Sequence, residues 1–366
     1  MGSLFLTSRG GRNDSGRHRG GRRGRVMLGW VHREGQTGEA PISHRPTRAR
    51  RIRRLRSGTL DAMSTQHAAG RYAPSPSGDL HVGNLRTAVL AWLFARTTGR
   101  RFLIRMENLD RAVDGADRRQ LDDLAALGLD WEEPVVYQTD RRAIYAGIID
   151  ELRSAGRTFE CFCTRREILE APSAPHAPQG AYPGTCRDLT DAQRAEKIAA
   201  GRPPAVRIRA ETSEFTVTDL LHGSYTGMVD DFVIQRNDGT PAYNLAVVVD
   251  DAAQGVDQVV RGDDLLSSAP RQAYLATLLG ETPPTYAHVP MVLNPEHVRL
   301  SKRDGAVTLA DLAARGVSSE RVLAHIARSL GLAAPGEVAD LPTLAERFDP
   351  AALPRTPWIL HPGEWD

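Results

Sequence analysis

The amino-acid sequence predicts an α/β protein built on a mostly parallel, doubly wound sheet. From Arg71 onward, short apolar strand patterns alternate with helical patterns, which is the order that such a sheet requires. A loop rich in Pro, Gly and Ser separates the first strand from the first helix. Parallel sheets bind their ligands at the carboxyl ends of the strands, so the loops that follow the strands are the first candidates for a functional site.

Length and composition are those of a globular protein with about two domains. The chain has 366 residues, of which 41% are apolar and 25% are charged. It contains no run of 18 apolar residues, so the sequence predicts no transmembrane helix. The three Cys residues are an odd number and no secretory segment precedes them, which favours a cytoplasmic protein and a metal site over disulfides.

The first 62 residues differ from the rest of the chain. They contain 15 Arg, no Lys and four acidic residues, a net charge of +11, which leaves −9 for the remainder. No apolar period is sustained there, so we expect disorder in a basic extension over 1–66. A nucleic-acid-binding arm and a transit peptide are two interpretations. We favour a third, in which Met63 is the true start and the preceding residues are not translated.

The segment from Arg71 to Asn84 is the first candidate for binding a phosphate. It reads Arg-Tyr-Ala-Pro-Ser-Pro-Ser-Gly-Asp-Leu-His-Val-Gly-Asn and precedes a helical pattern over 85–98. Free backbone N–H groups at a helix start favour an anion, whereas an ordinary strand–turn–helix connection is the alternative. A strand over 101–106 follows, and the loop after it carries Glu107 and Asp110, whose carboxylates suit an ammonium or hydroxyl group. Helices are predicted over 114–127 and 143–155.

The Cys residues indicate a metal site. Cys161 and Cys163 form a C-x-C pair, and Cys186 follows 23 residues after Cys163. Zinc prefers four tetrahedral ligands, so Tyr182, His176 or water is the fourth candidate. Chemistry alone favours His176, because a phenol has a pKa of about 10 and must lose its proton to bind. Three buried free thiols are the alternative.

The second half of the chain predicts further strands and loops. Strands are expected over 231–236 and 241–251, joined by a hairpin turn, and over 258–262. Arg261 suits a carboxylate ligand, or pairs at the surface with a neighbouring acid. A helix over 267–279 precedes a polar loop, 298–305, in which Lys302 is suited to a phosphate. Helices over 309–330 and 341–348 complete the pattern.

Two of these motifs, in this order, resemble the signatures of class I aminoacyl-tRNA synthetases of the glutamyl type. His81-Val82-Gly83-Asn84 resembles the "HIGH" signature, and Leu300-Ser301-Lys302-Arg303 resembles the "KMSKS" signature. Residues 71–78 are similar to the glutamate-specific opening of that family. The resemblance implies a class I synthetase Rossmann-type parallel sheet in two halves, with an inserted zinc-binding module and a short helical C-terminal region. The corresponding segments are 67–156, 157–230, 231–308 and 309–366.

The resemblance also implies a role for each matching residue. The glutamate-binding positions are Arg71, Ala73, Ser75, Glu107, Tyr243 and Arg261. The ATP-binding positions are His81, Gly83, Asn84, Ser301 and Lys302, with His81 and Lys302 catalytic. The metal ligands are Cys161, Cys163, Tyr182 and Cys186, so that the resemblance replaces His176 by Tyr182. One departure is Asn108, which stands where the family's R-x-E-D-x-D pattern has an acid.

Within the family, the chain looks most like a shortened branch that glutamylates the queuosine base of tRNA(Asp). The metal pattern is one reason, and the 64 residues after Lys302, too few for an anticodon-binding domain, are the other. The resemblance implies ATP-dependent activation of L-glutamate, Mg²⁺ with the ATP, one structural Zn²⁺ and a cytoplasmic monomer. Alternatives are a shortened synthetase that charges a tRNA 3′ end, a non-catalytic tRNA-binding homologue, and a zinc-dependent nucleic-acid-binding module. The charge of −9 disfavours the last.

Overall fold

The computed structural model describes residues 68–170, 181–300 and 307–365. Three of the residues singled out in the sequence, His176, Ser301 and Lys302, lie outside these ranges, and so does the whole Arg-rich segment with its predicted disorder. In the described part of the chain, no helix is long and apolar enough to cross a membrane.

The described residues form twelve strands and ten α-helices, besides short 3-10 helices. In chain order the strands are β1 (Ala69–Tyr72), β2 (Arg101–Met106), β3 (Glu132–Tyr137), β4 (Thr158–Cys161), β5 (Ala205–Ile208), β6 (Glu214–Asp219), β7 (Gly223–Met228), β8 (Val233–Gln235), β9 (Val256–Gly262), β10 (Thr285–Val289), β11 (Val292–Leu293) and β12 (Trp358–Ile359). The helices are α1 (Val82–Arg96), α2 (Ala116–Ala126), α3 (Arg142–Ser154), α4 (Arg165–Glu170), α5 (Asp191–Ala199), α6 (Tyr243–Gln254), α7 (Ala269–Leu278), α8 (Leu309–Ala314), α9 (Ser319–Ser329) and α10 (Leu341–Arg347).

Seven strands form the large sheet, in the order β3-β2-β1-β9-β10-β6-β7. Every neighbouring pair is parallel except β6 and β7, which form an antiparallel hairpin at one edge. The predicted parallel α/β sheet is therefore confirmed. Strands β1 and β9 are neighbours in the sheet but come from the first and the second half of the chain. The loops that follow strands of both halves therefore meet at this point.

Helix α1 is the central helix of the molecule. It packs on β1, β2 and β9 and also contacts α9 and α10, so the apolar core encloses it from several sides. Twelve of its fifteen residues are buried, which explains why its sequence is apolar nearly throughout rather than amphipathic. The C-terminal helices, predicted over 309–330 and 341–348, thus complete the core instead of forming a separate body.

One element differs from the prediction. The sequence predicts a buried strand over 241–251, but the chain forms helix α6 from Tyr243 to Gln254. A short apolar run cannot distinguish a buried strand from a buried helix by its periodicity, because nearly every position is apolar in both. The run ends at Gly255, whose φ of 69° gives the left-handed residue that commonly terminates a helix.

The segment between the two halves of the sheet contributes to two sheets. Strands β4, β5 and β8 form a small antiparallel sheet beside the cysteines, with Phe159 and Phe162 in its buried cluster. The β6–β7 hairpin instead extends the large sheet, where β6 pairs with β10. Asp219 at the end of β6 is thereby placed beside the central strands.

Candidate functional site

Helix α1 begins at the predicted phosphate-binding loop, and His81 is its N-cap. The backbone N–H of Asn84 donates to His81 Nδ1 at 3.2 Å, and the backbone N–H of His81 donates to the side-chain oxygen of Asn84 at 3.2 Å. Because Nδ1 accepts, the neutral ring carries its proton on Nε2. Burial lowers the pKa of His81. The result is a neutral ring with an N–H donor at the positive end of a helix.

Gly83 allows this ring to lie close to the helix. A Cβ at position 83 would be 3.0 Å from the Nδ1 and Cε1 atoms of His81 and 3.3 Å from the Cβ of Val292. Any larger residue would have to displace one of these neighbours. Glycine is therefore the residue that fits this position in the first turn of α1.

The start of α1 also meets the chain that follows the predicted second signature loop. The N–H of Val82 donates to the carbonyl of Val307 at 2.8 Å, and His81 forms a β-bridge with Thr308. Leu300, which precedes the undescribed residues 301–306, belongs to the same apolar cluster as Val82 and Val307. The residues that flank Ser301 and Lys302 are thus part of the core around this helix.

A cavity of about 390 Å³ lies between the two halves of the large sheet. It brings together all six residues that were predicted to bind glutamate. The complete lining is Arg71, Tyr72, Ala73, Ser75, Thr87, Glu107, Tyr243, Val260, Arg261 and Leu265. Residues from β1, from the loop after β2, from the start of α6 and from the end of β9 therefore converge on one space.

Charged side chains form a network beside the part of the cavity that β1 and the loop after β2 line. Nε of Arg71 and Nη1 of Arg105 lie 3.2 and 2.8 Å from the same Oδ1 atom of Asp251. Burial alone would raise the pKa of Asp251, but the two guanidinium groups hold it below its ordinary value. Glu107 lies 3.6 Å from Nη2 of Arg105. Burial nevertheless raises the pKa of Glu107, against the opposing effect of Arg105 and Arg71.

Asp250 is the second buried carboxylate of this network. It is completely inaccessible to solvent and accepts hydrogen bonds from Nε of Arg141 at 2.6 Å, the hydroxyl of Tyr145 at 2.7 Å and the side-chain amide of Gln138 at 2.9 Å. Nε of Arg105 lies 3.7 Å away. Asp250 therefore joins α6 to α3 and to β2, and fixes the helix that carries Tyr243.

Arg261, on the other side of the cavity, has a different environment. Its Nε donates to Nε2 of His288 at 3.0 Å, and its Nη1 donates to the side-chain oxygen of Gln272 at 2.7 Å. No ion pair among the described residues includes Arg261, although Asp263 and Asp264 follow closely in the chain. The surface ion pair that was the alternative for Arg261 is thus absent among the described residues, and the buried cation faces neutral acceptors.

A second cavity, of about 570 Å³, adjoins the first and shares Ser75, Glu107 and Tyr243 with it. Asp110 lines this second cavity rather than the first, and its Oδ2 lies 3.2 Å from Nη1 of Arg236. Of the two acids predicted in the loop after β2, Glu107 therefore lines both cavities, whereas Asp110 lines only the second.

The three cysteines form a compact group of possible metal ligands. Their Sγ atoms lie within 4.8 Å of one another, and those of Cys163 and Cys186 are 3.5 Å apart. The hydroxyl of Tyr182 is 3.4 Å from Sγ of Cys161 and accepts the backbone N–H of Cys186 at 2.8 Å. The three sulfur atoms are a donor set that suits a tetrahedral metal, and the Tyr182 hydroxyl lies beside them. The preference for His176 is not tested, because that residue is outside the described ranges.

Sequence reasoning missed the residues that support the site, above all Arg105, Asp250, Asp251, Gln272 and His288. A usable signal existed for the first three. Two adjacent acids end an apolar run, and Arg105 interrupts the apolar stretch of strand β2. Because a buried charge requires an opposite charge nearby, these positions could have been paired. Gln272 and His288 carry no comparable signal.

Comparison with known proteins identifies the relatives of this chain. The family described as "tRNA synthetases class I (E and Q), catalytic domain" matches residues 68–350. A "Glutamyl-Q tRNA(Asp) synthetase" of Nocardia farcinica is 67% identical over 292 residues, which cover 80% of this chain and 93% of the relative. Its namesake from Symbiobacterium thermophilum is 44% identical over 311 residues, covering 81% and 96% of the two chains.

Solved structures agree on the architecture. A crystal structure of a glutamate tRNA ligase from Elizabethkingia meningosepticum, in complex with its amino acid, matches with a TM-score of 0.69 at 24% sequence identity. The match covers 80% of this chain and 67% of that chain. This similarity concerns the fold alone, and together with the family match it confirms the predicted fold class.

Proposed function

The chain belongs to the class I tRNA synthetase family of the E and Q type, and on this premise we propose that it activates L-glutamate with ATP and transfers it to the queuosine base of tRNA(Asp). The observation that carries the first part is the cavity between the sheet halves. It offers the mostly buried carboxylate of Glu107 and the buried guanidinium of Arg261 to a ligand that has both an ammonium group and carboxylates.

The cavity suits glutamate by charge. Glu107 receives the ammonium group, and Arg261 receives a carboxylate because no acid of the described chain neutralises it. Arg71 is already paired with Asp251, so it adds hydrogen bonds and positive potential rather than a whole free charge. Ala73, Ser75 and Tyr243 line the same cavity.

Activation then requires positioning and charge stabilisation more than covalent help. A carboxylate oxygen of glutamate attacks the α-phosphorus of ATP, the bond to the β-phosphate oxygen breaks, and pyrophosphate leaves with its electron pair. We propose that His81 donates from Nε2 to a phosphate oxygen and that the backbone at Gly83 and Asn84 adds the potential of the helix start. Ser301 and Lys302, which lie outside the described residues, are proposed to bind the phosphates as well. Mg²⁺ bound with ATP would reduce the charge on the phosphates.

Transfer completes the reaction. A nucleophilic oxygen of the acceptor attacks the carbonyl carbon of glutamyl-adenylate, AMP leaves, and a proton is released from the acceptor. The acceptor is assigned from the relatives, whose printed names specify Glutamyl-Q and tRNA(Asp).

We propose that the cysteine group holds one Zn²⁺ through Cys161, Cys163, Cys186 and Tyr182. The metal would be structural, since all four ligands come from the protein and none of the four lines the glutamate-binding cavity. Bound there, it would tie the end of β4 to the loop that carries Tyr182.

The test is transfer of radiolabelled glutamate, with ATP and Mg²⁺, to three purified RNAs: tRNA(Asp) with queuosine, the same tRNA without it, and tRNA(Glu). Label on the first RNA alone is the expected result. Label on tRNA(Glu) would instead identify a synthetase that charges a tRNA 3′ end. Absence of label together with absence of glutamate-dependent pyrophosphate exchange would overturn the enzymatic function.

A further inference from the structure

We propose that Asp219 and His288 form a positioning pair that holds Arg261 in the geometry needed to bind glutamate. This inference rests on the proposed function for its substrate, but its geometry is independent of that function. Neither residue lines the cavity, so both would act through Arg261.

The three side chains form a buried chain of hydrogen bonds. Nδ1 of His288 lies 2.6 Å from Oδ2 of Asp219, and Nε2 of His288 lies 3.0 Å from Nε of Arg261. His288 and the Asp219 carboxylate are fully inaccessible to solvent. The chain runs from the end of β6 across β10 to the end of β9, and so it connects the hairpin at the sheet edge to the cavity.

Only one protonation state of His288 fits this arrangement. An Arg Nε can donate but cannot accept, so Nε2 of His288 must be the acceptor and its proton must be on Nδ1. A carboxylate at Asp219 is the matching acceptor for that proton. Asp219 is itself fixed, because its Oδ1 accepts the backbone N–H groups of Leu221 and His222 at 2.8 and 2.9 Å.

The neutrality of His288 preserves the charge of Arg261. Of its five N–H groups, one donates to His288, one to Gln272 and one, at 3.4 Å, to the carbonyl of Leu265. Two N–H groups, one on each Nη, are left for a ligand carboxylate. Gln272 is oriented in the same way, since its amide nitrogen donates to the side chain of Asn244 at 3.0 Å. Three neutral acceptors therefore fix the guanidinium without neutralising it.

Three substitutions test the pair. H288Q can keep an amide oxygen near the position of Nε2 and so can still accept from Arg261. H288N keeps a donor near Asp219 but removes the acceptor from Arg261. D219N can donate to Nδ1 of His288, which moves the ring proton to Nε2 and directs it at Nε of Arg261.

The measurement is glutamate-dependent exchange of pyrophosphate into ATP, with KM and kcat determined separately, and melting temperatures recorded for every variant. A lost hydrogen bond to a charged group predicts that H288N and D219N raise the KM for glutamate by about 10- to 100-fold. Their kcat should change less than about threefold, and H288Q should stay near the wild-type KM. If the pair had only a structural role, the melting temperature of all three variants would be lower, and the KM for glutamate would not separate H288N and D219N from H288Q.

A spectroscopic readout keeps the test independent of activity. In ¹⁵N-histidine-labelled wild-type protein, the resonances lost in H288Q identify His288, and their shifts report which ring nitrogen carries the proton. A proton on Nε2 would overturn the proposal, as would a wild-type KM in H288N or equal defects in H288N and H288Q. If the wild-type protein shows no glutamate-dependent exchange, the proposed function fails instead, and the nitrogen shifts still decide the arrangement at His288.

Discussion

Replacing Arg105 by Met should destabilise the protein strongly, because Arg105 compensates two buried carboxylates, Asp250 and Asp251, and the mostly buried Glu107. The side chain is completely inaccessible to solvent, and its nitrogens lie 2.8 Å from Asp251, 3.6 Å from Glu107 and 3.7 Å from Asp250. Methionine preserves much of the apolar stem and removes only the guanidinium. Removing one partner of a buried ion pair typically costs about 3–5 kcal/mol.

The loss of unfolding free energy in R105M depends on pH. In the wild-type protein the pKa of Asp251 is lowered, so its stabilising contribution is complete above the ordinary Asp pKa and is lost as the pH falls through the folded value. Without Arg105, the carboxylates take up protons more readily in the folded state than in the unfolded state. The difference in unfolding free energy between wild type and R105M should therefore be largest near neutral pH and should narrow on acidification.

Urea denaturation followed by fluorescence measures both effects. With a denaturant slope of about 3 kcal/mol/M or more, the loss corresponds to a midpoint lower by about 1 M at pH 7.5. The matched control is R153M, because Arg153 pairs with Asp150 on the exposed face of α3 and such pairs contribute less than about 1 kcal/mol. An R105M midpoint equal to that of R153M, or a difference that does not narrow by pH 4.5, would refute the electrostatic reasoning.

Three further predictions concern the site. E107Q should raise the KM for glutamate by about 10-fold or more, since a charged hydrogen-bond acceptor is lost; because burial raises the pKa of Glu107, acidification should raise the KM of the wild type more than that of E107Q, and at a higher pH than an ordinary Glu would give. C163S should lower the zinc content, measured by atomic absorption, below one per chain and reduce the melting temperature; unchanged values would contradict a metal site there. G83A should displace the His81 ring, cost about 1–3 kcal/mol in stability and lower kcat for pyrophosphate exchange while leaving the KM for glutamate unchanged; a wild-type kcat would argue against His81 as a phosphate ligand.

The sequence was most informative where local chemistry and spacing carry the signal. Strand β2 was predicted at its observed bounds, and the start of α1 was predicted from the Gly- and Pro-rich loop that precedes it. These two features require no knowledge of distant contacts. The six residues that line one cavity were instead assigned to glutamate by the family resemblance, and the parallel strands bring the loops that carry several of them to the same edge of the sheet.

Prediction failed where distant contacts decide the outcome. Helix α6 was mistaken for a strand because its Val-rich run satisfies both patterns, and only its packing against α3, α7 and β9 selects the helix. The same packing brings Asp250 and Asp251 to Arg105, which lies some 145 residues earlier. The bond between His288 and Asp219 spans 69 residues and depends on two strands becoming neighbours. Periodicity contains no information about such pairings.

The division of the inserted segment between two sheets limits how this enzyme can be re-engineered. Excising 157–230 as a cassette would remove β6 and β7, leaving β10 as an unprotected edge that invites aggregation, and would also remove Asp219. The stretch between β4 and β5, 162–204, can instead be exchanged between homologues without cutting a strand of either sheet. A chimera made at those boundaries would exchange the segment that carries Cys163, Tyr182 and Cys186 and would keep all the strands of both sheets.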